Sequence, residues 1–270
     1  MLVLIKGAGD LATGVAVRLY RSGFPVVMTE LAQPTAVRRT VSFCQCRYDG
    51  TTTVEGITAR AVQDVDQVKS ALAAGEVPVL ADPAAEIRAA LPFDAVVDAI
   101  LAKHNTGTAI TDAPIVLALG PGFTAGVDCH GVVETKRGHY LGRLITEGSA
   151  IPNTGVPGDV GGYTIERLIR APKAGVFHPV ASIGDTVEKG EVVAHVDETP
   201  VYAAMPGIVR GMLPEGLTVP AGMKAGDIDP RCTRDHCFTV SDKARAVGGG
   251  VLEGLMYFSR QREGGTTWNG

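Results

Sequence analysis

The sequence predicts an α/β fold, a parallel-sheet domain followed by a smaller all-β domain. Three observations point to it. Short continuous apolar runs (Leu2–Ile5, Pro25–Met28, Val77–Ala81, Ala95–Val97, Ile115–Leu119) suit strands buried on both faces of a parallel sheet. Stretches of helical spacing alternate with several of them, as at Leu11–Ser22 and Asp64–Ala74. Beyond Ala171-Pro172 the periodicity changes, and no long helix is predicted before Arg231.

The opening thirty residues carry the strongest pattern. The run Leu2–Lys6 enters Gly7-Ala8-Gly9-Asp10-Leu11-Ala12, a match to G-x-G-x-x-[GA]. A helix follows with Leu11, Val15 and Leu19 on one face and Gly23 as its stop. The next strand ends at Glu30. This is a Rossmann-like fingerprint. Gly7 permits the tight turn, Gly9 admits a pyrophosphate close to the backbone, and Ala12 lets helix and strand approach. Asp10 and Leu11 open a helix N-terminus whose N–H groups suit anionic oxygens, and Glu30 is placed to accept from ribose hydroxyls. Arg38 and Arg39 follow as phosphate contacts or as a solvated face.

The α/β alternation continues through a strand at Val54–Ala61, a helix at Asp64–Ala74 and a short helix at Glu86–Leu91. Phe43-Cys44-Gln45-Cys46 reads as structural thiols. Gly120 and Gly122, in Gly120-Pro121-Gly122-Phe123, form a turn with backbone N–H groups open to an anion. The alternation Val127–Thr135 predicts a strand with Asp128, His130 and Glu134 on one face and Cys129 on the other. That face reads as acid, base and orienting group, as a metal site, or as an exposed polar edge.

Asn153–Gly162 is turn-rich and reads as a linker or lid. In the second half Gly184-Asp185-Thr186-Val187-Glu188-Lys189-Gly190 is echoed by Gly216-Leu217-Thr218-Val219-Pro220-Ala221-Gly222, with Val196-Asp197 and Ile228-Asp229 at matching offsets. This repeat resembles the biotinyl/lipoyl-type barrel-sandwich domain. Where that family carries its modified lysine, this chain has Asp197-Glu198-Thr199-Pro200, so neither biotin nor lipoate attachment is expected. Cys232, His236 and Cys237 could be half of a zinc site, but no second half is evident. Gly248-Gly249-Gly250 beside Lys243 and Arg245 suits contact with a phosphate or another backbone. The expected organisation is therefore a Rossmann-like α/β domain over residues 1–170, a barrel-sandwich module over 171–232, and a C-terminal helix and tail over 233–270. The helix is expected at Val251–Phe258 packing back on the first domain, and the tail from Gln261 is expected to be disordered.

The chain has 270 residues, 45% of them hydrophobic, 20% charged, and a net charge of −4. That balance argues against nucleic acid as a partner, and no apolar run is long enough to span a membrane. Five cysteines without a small-scaffold pattern suit a reduced cytoplasm.

Nearly the whole chain is similar to the YqeB-type accessory proteins of selenium-dependent molybdenum hydroxylases. The residues that carry this are Lys6–Gly14, Val97–Lys103, Leu119–Phe123, Glu134–His139 and Ser241–Arg245. The resemblance implies a role in maturing a molybdenum hydroxylase, which would be the partner. The ligand of the glycine turn is then the molybdopterin dinucleotide cofactor or NAD(P). Asp128, Cys129, His130 and Glu134 would face its reactive end, with Cys129 as a candidate selenium or sulfur carrier. An NAD(P)-dependent oxidoreductase and a non-catalytic chaperone that docks the hydroxylase remain alternatives, and a homo-oligomer is left open.

Overall fold

The computed structural model describes residues 1–155 and 158–262. The chain opens with β1 (Val3–Lys6), α1 (Asp10–Arg21) and β2 (Val26–Glu30), then a short helical turn, α2 (Cys46–Asp49). A hairpin of β3 (Thr51–Val54) and β4 (Ile57–Val62) leads to α3 (Val65–Ala73) and β5 (Val77–Ala81). Next come β6 (Ala95–Asp98), β7 (Ile115–Leu119), β8 (Thr124–Ala125), β9 (Gly131–Val133), β10 (Leu144–Ile145) and β11 (Gly148–Ser149). One nine-stranded sheet runs in the order β10-β9-β7-β6-β1-β2-β5-β4-β3, while β8 and β11 pair separately. Its central strands are parallel, with Val3 opposite both Val26 and Ala95, and an antiparallel strand closes each edge.

The remaining strands are β12 (Leu168–Arg170), β13 (Gly175–Pro179), β14 (Thr186–Val187), β15 (Val192–Val196), β16 (Thr199–Tyr202), β17 (Gly207–Met212), β18 (Leu217–Val219) and β19 (Lys224–Asp229). They make two four-stranded sheets, β12-β19-β17-β14 and β16-β15-β13-β18, around a core that includes Phe177, Met205 and Met212. The final helix, α4 (Asp242–Arg262), packs beside α1 on one face of the large sheet, in a core with Ile5, Leu19 and Leu255. The opposite face is covered by α3 and by the segments carrying Phe93 and Phe123.

These observations overturn the expected Rossmann-like sheet with a smaller barrel-sandwich domain. The described residues form many strands in four sheets, with few helices. A doubly wound fold covers its sheet with crossover helices. Here only α1 and α3 connect parallel strands as α-helices; β5 reaches β6 through a 3-10 turn, and β6 reaches β7 without a helix. Segment 82–94 is bracketed by Asp82-Pro83 and Pro92, which leave room for no more than a 3-10 turn at Glu86–Ala89, and segment 99–114 is interrupted by Asn105, Gly107 and Pro114. Nor are the two small sheets a free-standing module. β12 is drawn from upstream of Ala171, and Met212 N–H donates to the Val37 carbonyl at 2.7 Å.

Several local expectations change for the same reason, that tertiary packing outranks local pattern. Gly248–Gly250 lies inside α4 instead of preceding the helix expected at Val251–Phe258. A Cβ on Gly248 would stand 2.9 Å from the Gly14 carbonyl, and one on Gly250 would collide with the Gly142 carbonyl. Two of the three glycines thus serve backbone approach, not a phosphate. The predicted strand Val127–Thr135 shrinks to Gly131–Val133, because Asp128 Oδ2 accepts from the Thr124 N–H at 2.7 Å and closes a turn. Residues 156–157 of the turn-rich segment, and residues 263–270 of the expected disordered tail, lie outside the described residues; Gln261 belongs to α4.

Candidate functional site

The carboxyl ends of β1, β6, β7 and β9 open onto a cleft of about 780 Å³ whose opposite wall is the β12-β19-β17 sheet. Carboxyl ends of parallel strands are where open α/β sheets take ligands. The cleft is strongly cationic. The large-sheet side contributes Arg38, Lys103, Lys136, Arg137 and Lys243, and the other wall contributes Arg167, Arg170, Arg210 and Lys224. Only Asp10 and Asp227 oppose them among the lining residues. Arg38 pairs with Asp10 at 3.2 Å, Arg137 is bidentate to Asp242 at 2.8 and 2.9 Å, and Arg167 Nη2 donates to both Asp227 oxygens at 3.0 Å. Among the described residues no carboxylate comes within ion-pair distance of Lys103, Lys136, Arg170, Lys224 or Lys243. Burial holds the Lys243 ammonium below the usual lysine range, against the raising effect of Asp10.

The glycine turn enters this cleft. Gly7 adopts φ +94°, and a Cβ there would stand 2.9 Å from the Ala99 carbonyl, so its glycine is required by the fold itself. Gly9 has no such reason: its φ is −69° and a Cβ would meet nothing within 4 Å. Among the described residues no hydrogen bond reaches the N–H groups of Gly9, Asp10, Leu11 or Ala12. Open space before Gly9 and four free donors at the start of α1 leave a surface of the kind that suits an anion. Leu11 and Asp10 line the cleft, whereas Ala12 is buried against the core.

Glu30 does not stand free for a ribose. Its Oε2 accepts from the Ala8 N–H at 2.9 Å and its Oε1 from the Leu31 N–H at 2.8 Å. Gly120 and Gly122 make room for neighbouring chain rather than presenting donors to an anion. A Cβ on Gly120 would collide with the Thr135 side chain, and one on Gly122 would stand 2.6 Å from the His104 Cα. That approach holds the 101–104 loop, in which Leu101 (φ +62°) and Lys103 (φ +68°) are left-handed and line the cleft. A buried link fixes the same loop: Lys6 Nζ donates to Thr108 Oγ1 at 2.6 Å, and Thr108 Oγ1 donates to Asp98 Oδ2 at 2.6 Å.

The expected catalytic set is not brought together. His130 N–H donates to the Val116 carbonyl, and Val116 N–H donates to His130 Nδ1 at 2.9 Å, near the amino end of β7 and away from the cleft. Its ring packs against Phe258, and burial, with the Arg262 charge, lowers its pKa. Asp128 is used by its turn. Cys129 is fully buried, and burial pushes its thiol up to about 12, so it is no thiolate at neutral pH. Glu134 alone lies at the carboxyl end, where its oxygens accept from the Lys136 N–H at 2.7 Å and the Ile151 N–H at 2.8 Å. Among the described residues no group of three or more His, Cys, Asp or Glu could hold a metal ion, and no helix is long and apolar enough to cross a membrane. Lys103 and Lys136 lie in stretches that carry the family resemblance, whereas the cations at 170, 210 and 224 carry no local motif. What could have flagged them is their placement just after strands or within the second-half repeat.

The chain is similar to YqeB. It is 51% identical over 260 residues to the uncharacterized protein YqeB of Escherichia coli K12, covering 96% of this chain and 48% of that protein. It thus spans about half the length of that curated relative. No family model matches the sequence. Among solved structures, an aspartoacylase family protein of Mesorhizobium loti aligns over 84% of each chain at 13% identity with a TM-score of 0.27. A succinylglutamate desuccinylase/aspartoacylase of Rhodobacter sphaeroides aligns over 24% of this chain and 22% of that one, at 25% identity and a TM-score of 0.21. Scores of that size describe no shared architecture.

Proposed function

We propose that the cleft binds a phosphate-rich, dinucleotide-like ligand and that the chain serves in maturing a molybdenum hydroxylase, of the selenium-dependent kind, by handling the dinucleotide form of its cofactor. The observation that carries the ligand class is the convergence of nine cationic side chains and the free N-terminus of α1 on one cleft of about 780 Å³. The hydroxylase context rests on the sequence resemblance to the YqeB-type accessory proteins.

The residues fit such a group. The N–H groups of Gly9 to Ala12 would hold the pyrophosphate, with Lys243 and Lys103 neutralising its charge. When bound, the cofactor supplies its own redox chemistry; this chain's residues bind and orient it. NAD(P) is the weaker reading, since one Glu30 oxygen is engaged by the Ala8 N–H of the glycine turn and the other by the Leu31 N–H.

Native mass spectrometry of protein purified from a host that makes molybdopterin dinucleotides, repeated with Gly9→Val, tests this. A retained pterin dinucleotide that is lost in the variant supports the proposal. Retained NAD(P) transfers the site to a redox enzyme. Protein free of any nucleotide speaks for the docking chaperone instead.

A further inference from the structure

Arg210 is the least satisfied buried charge in the cleft. It lies in the middle of β17 with 6% of its surface exposed, yet its Nε has no hydrogen-bond partner. Its Nη1 stands 3.5 Å from Asp229 Oδ2 and 3.9 Å from Asp227 Oδ2, and it makes no hydrogen bond among the described residues. Each acid has a closer, hydrogen-bonded partner. Asp227 is held by Arg167 with two bonds of 3.0 Å, and Asp229 by Arg231 at 2.6 and 2.9 Å. Arg38, 7% exposed and also with an unpartnered Nε, lies near enough that its charge opposes that of Arg210. Two buried guanidinium groups that repel each other and keep donors unused are costly to the fold alone. A planar guanidinium fork answers to the oxygens of a phosphate.

We infer that Arg210, backed by Arg38, receives a second phosphate-like group of the ligand on the β17 wall, apart from the group held at the α1 turn. This rests on the reading of the cleft as a polyanion site and narrows its ligand to one with two separated anionic groups. It also makes the small sheets part of the binding site.

The test uses the full chain and inorganic pyrophosphate at low salt, followed by isothermal titration calorimetry. Wild type is expected to take two equivalents, Gly9→Val to lose one, and Arg210→Met to lose the other. Without ligand, Arg210→Met is expected to raise the melting temperature by about 2 to 4 °C, since a surplus buried charge is removed. An Arg210→Met protein that binds as wild type does, or that melts lower, overturns the inference. If Gly9→Val loses an equivalent and Arg210→Met loses none, the inference fails while the polyanion reading stands. If wild type takes up no pyrophosphate, both fail.

Discussion

Glu30 Oε2 accepts a hydrogen bond from the Ala8 N–H at 2.9 Å, which fastens the end of β2 to the glycine turn between β1 and α1. The carboxylate shapes the turn from behind instead of facing a ligand. Glu30→Ala strands a part-buried donor and is expected to cost about 1–3 kcal/mol of stability. The readout is a lower urea midpoint with an unchanged slope. Glu30→Gln, which keeps a carbonyl acceptor, should lose less.

Gly9 caps α1 and Gly14 lies inside it, and the two should respond in different ways. A Cβ on Gly14 would stand 2.6 Å from the Ala244 Cβ, so Gly14→Ala overpacks the α1–α4 contact and is expected to cost about 1–3 kcal/mol. Gly9→Ala meets open space and should lose only a few tenths of a kcal/mol as an N-cap change. It should nevertheless weaken anion binding. Thermal melts and phosphate titrations of the two variants separate packing from recognition.

Thiol chemistry should be confined to one cysteine. Cys232 is exposed, while Cys44, Cys46, Cys129 and Cys237 are buried, with thiols pushed up by burial. Native protein at pH 8 is expected to release one equivalent of chromophore from an aromatic disulfide reagent, and none after Cys232→Ser. Cys129→Ser should leave that reactivity, and any maturation activity, unchanged.

Asp229 predicts an acid limb. Burial alone would raise its pKa, but the Arg231 hydrogen bonds and the Arg210 charge bring it down from 3.8 to about 2. A carboxyl lowered in the folded state stabilises above its unfolded pKa and loses that contribution as protons bind. Stability should therefore fall as pH drops from 3.8 toward 2, and the fall should be shallower in Asp229→Asn. Denaturant midpoints across that range decide it.

The parts of the fold carried by short-range pattern were legible from sequence. Strands such as Val3–Lys6 and Ile115–Leu119 announce themselves as apolar runs, and α3 by its Asp64 N-cap, whose Oδ1 accepts from the Gln67 N–H at 2.8 Å. The overall class was not, because the bare connections after β5 and β6, and the edge strands, follow from packing between distant segments. Gly248 and Gly250 suit a phosphate and another backbone equally until Gly14 and Gly142 stand opposite them. In the candidate site, the glycine turn was visible because its residues are consecutive in the sequence. Asp128, His130 and Glu134 were grouped by an alternation that the Thr124–Asp128 turn breaks. Arg210 and Lys243 lie 33 positions apart on different elements, and no spacing rule joins them.

The bonds from Val37 and Arg39 to Met212 bear on how the cleft chooses its occupant. They fasten the segment that follows β2 to the β17 wall, and the Lys6–Thr108–Asp98 link clamps the loop on the other side. The jaws therefore have a set gap. On the proposed reading, a ligand would be sorted by its length between charges, as a key blank is by a lock's warding, and one that is too short could not draw the walls together to compensate.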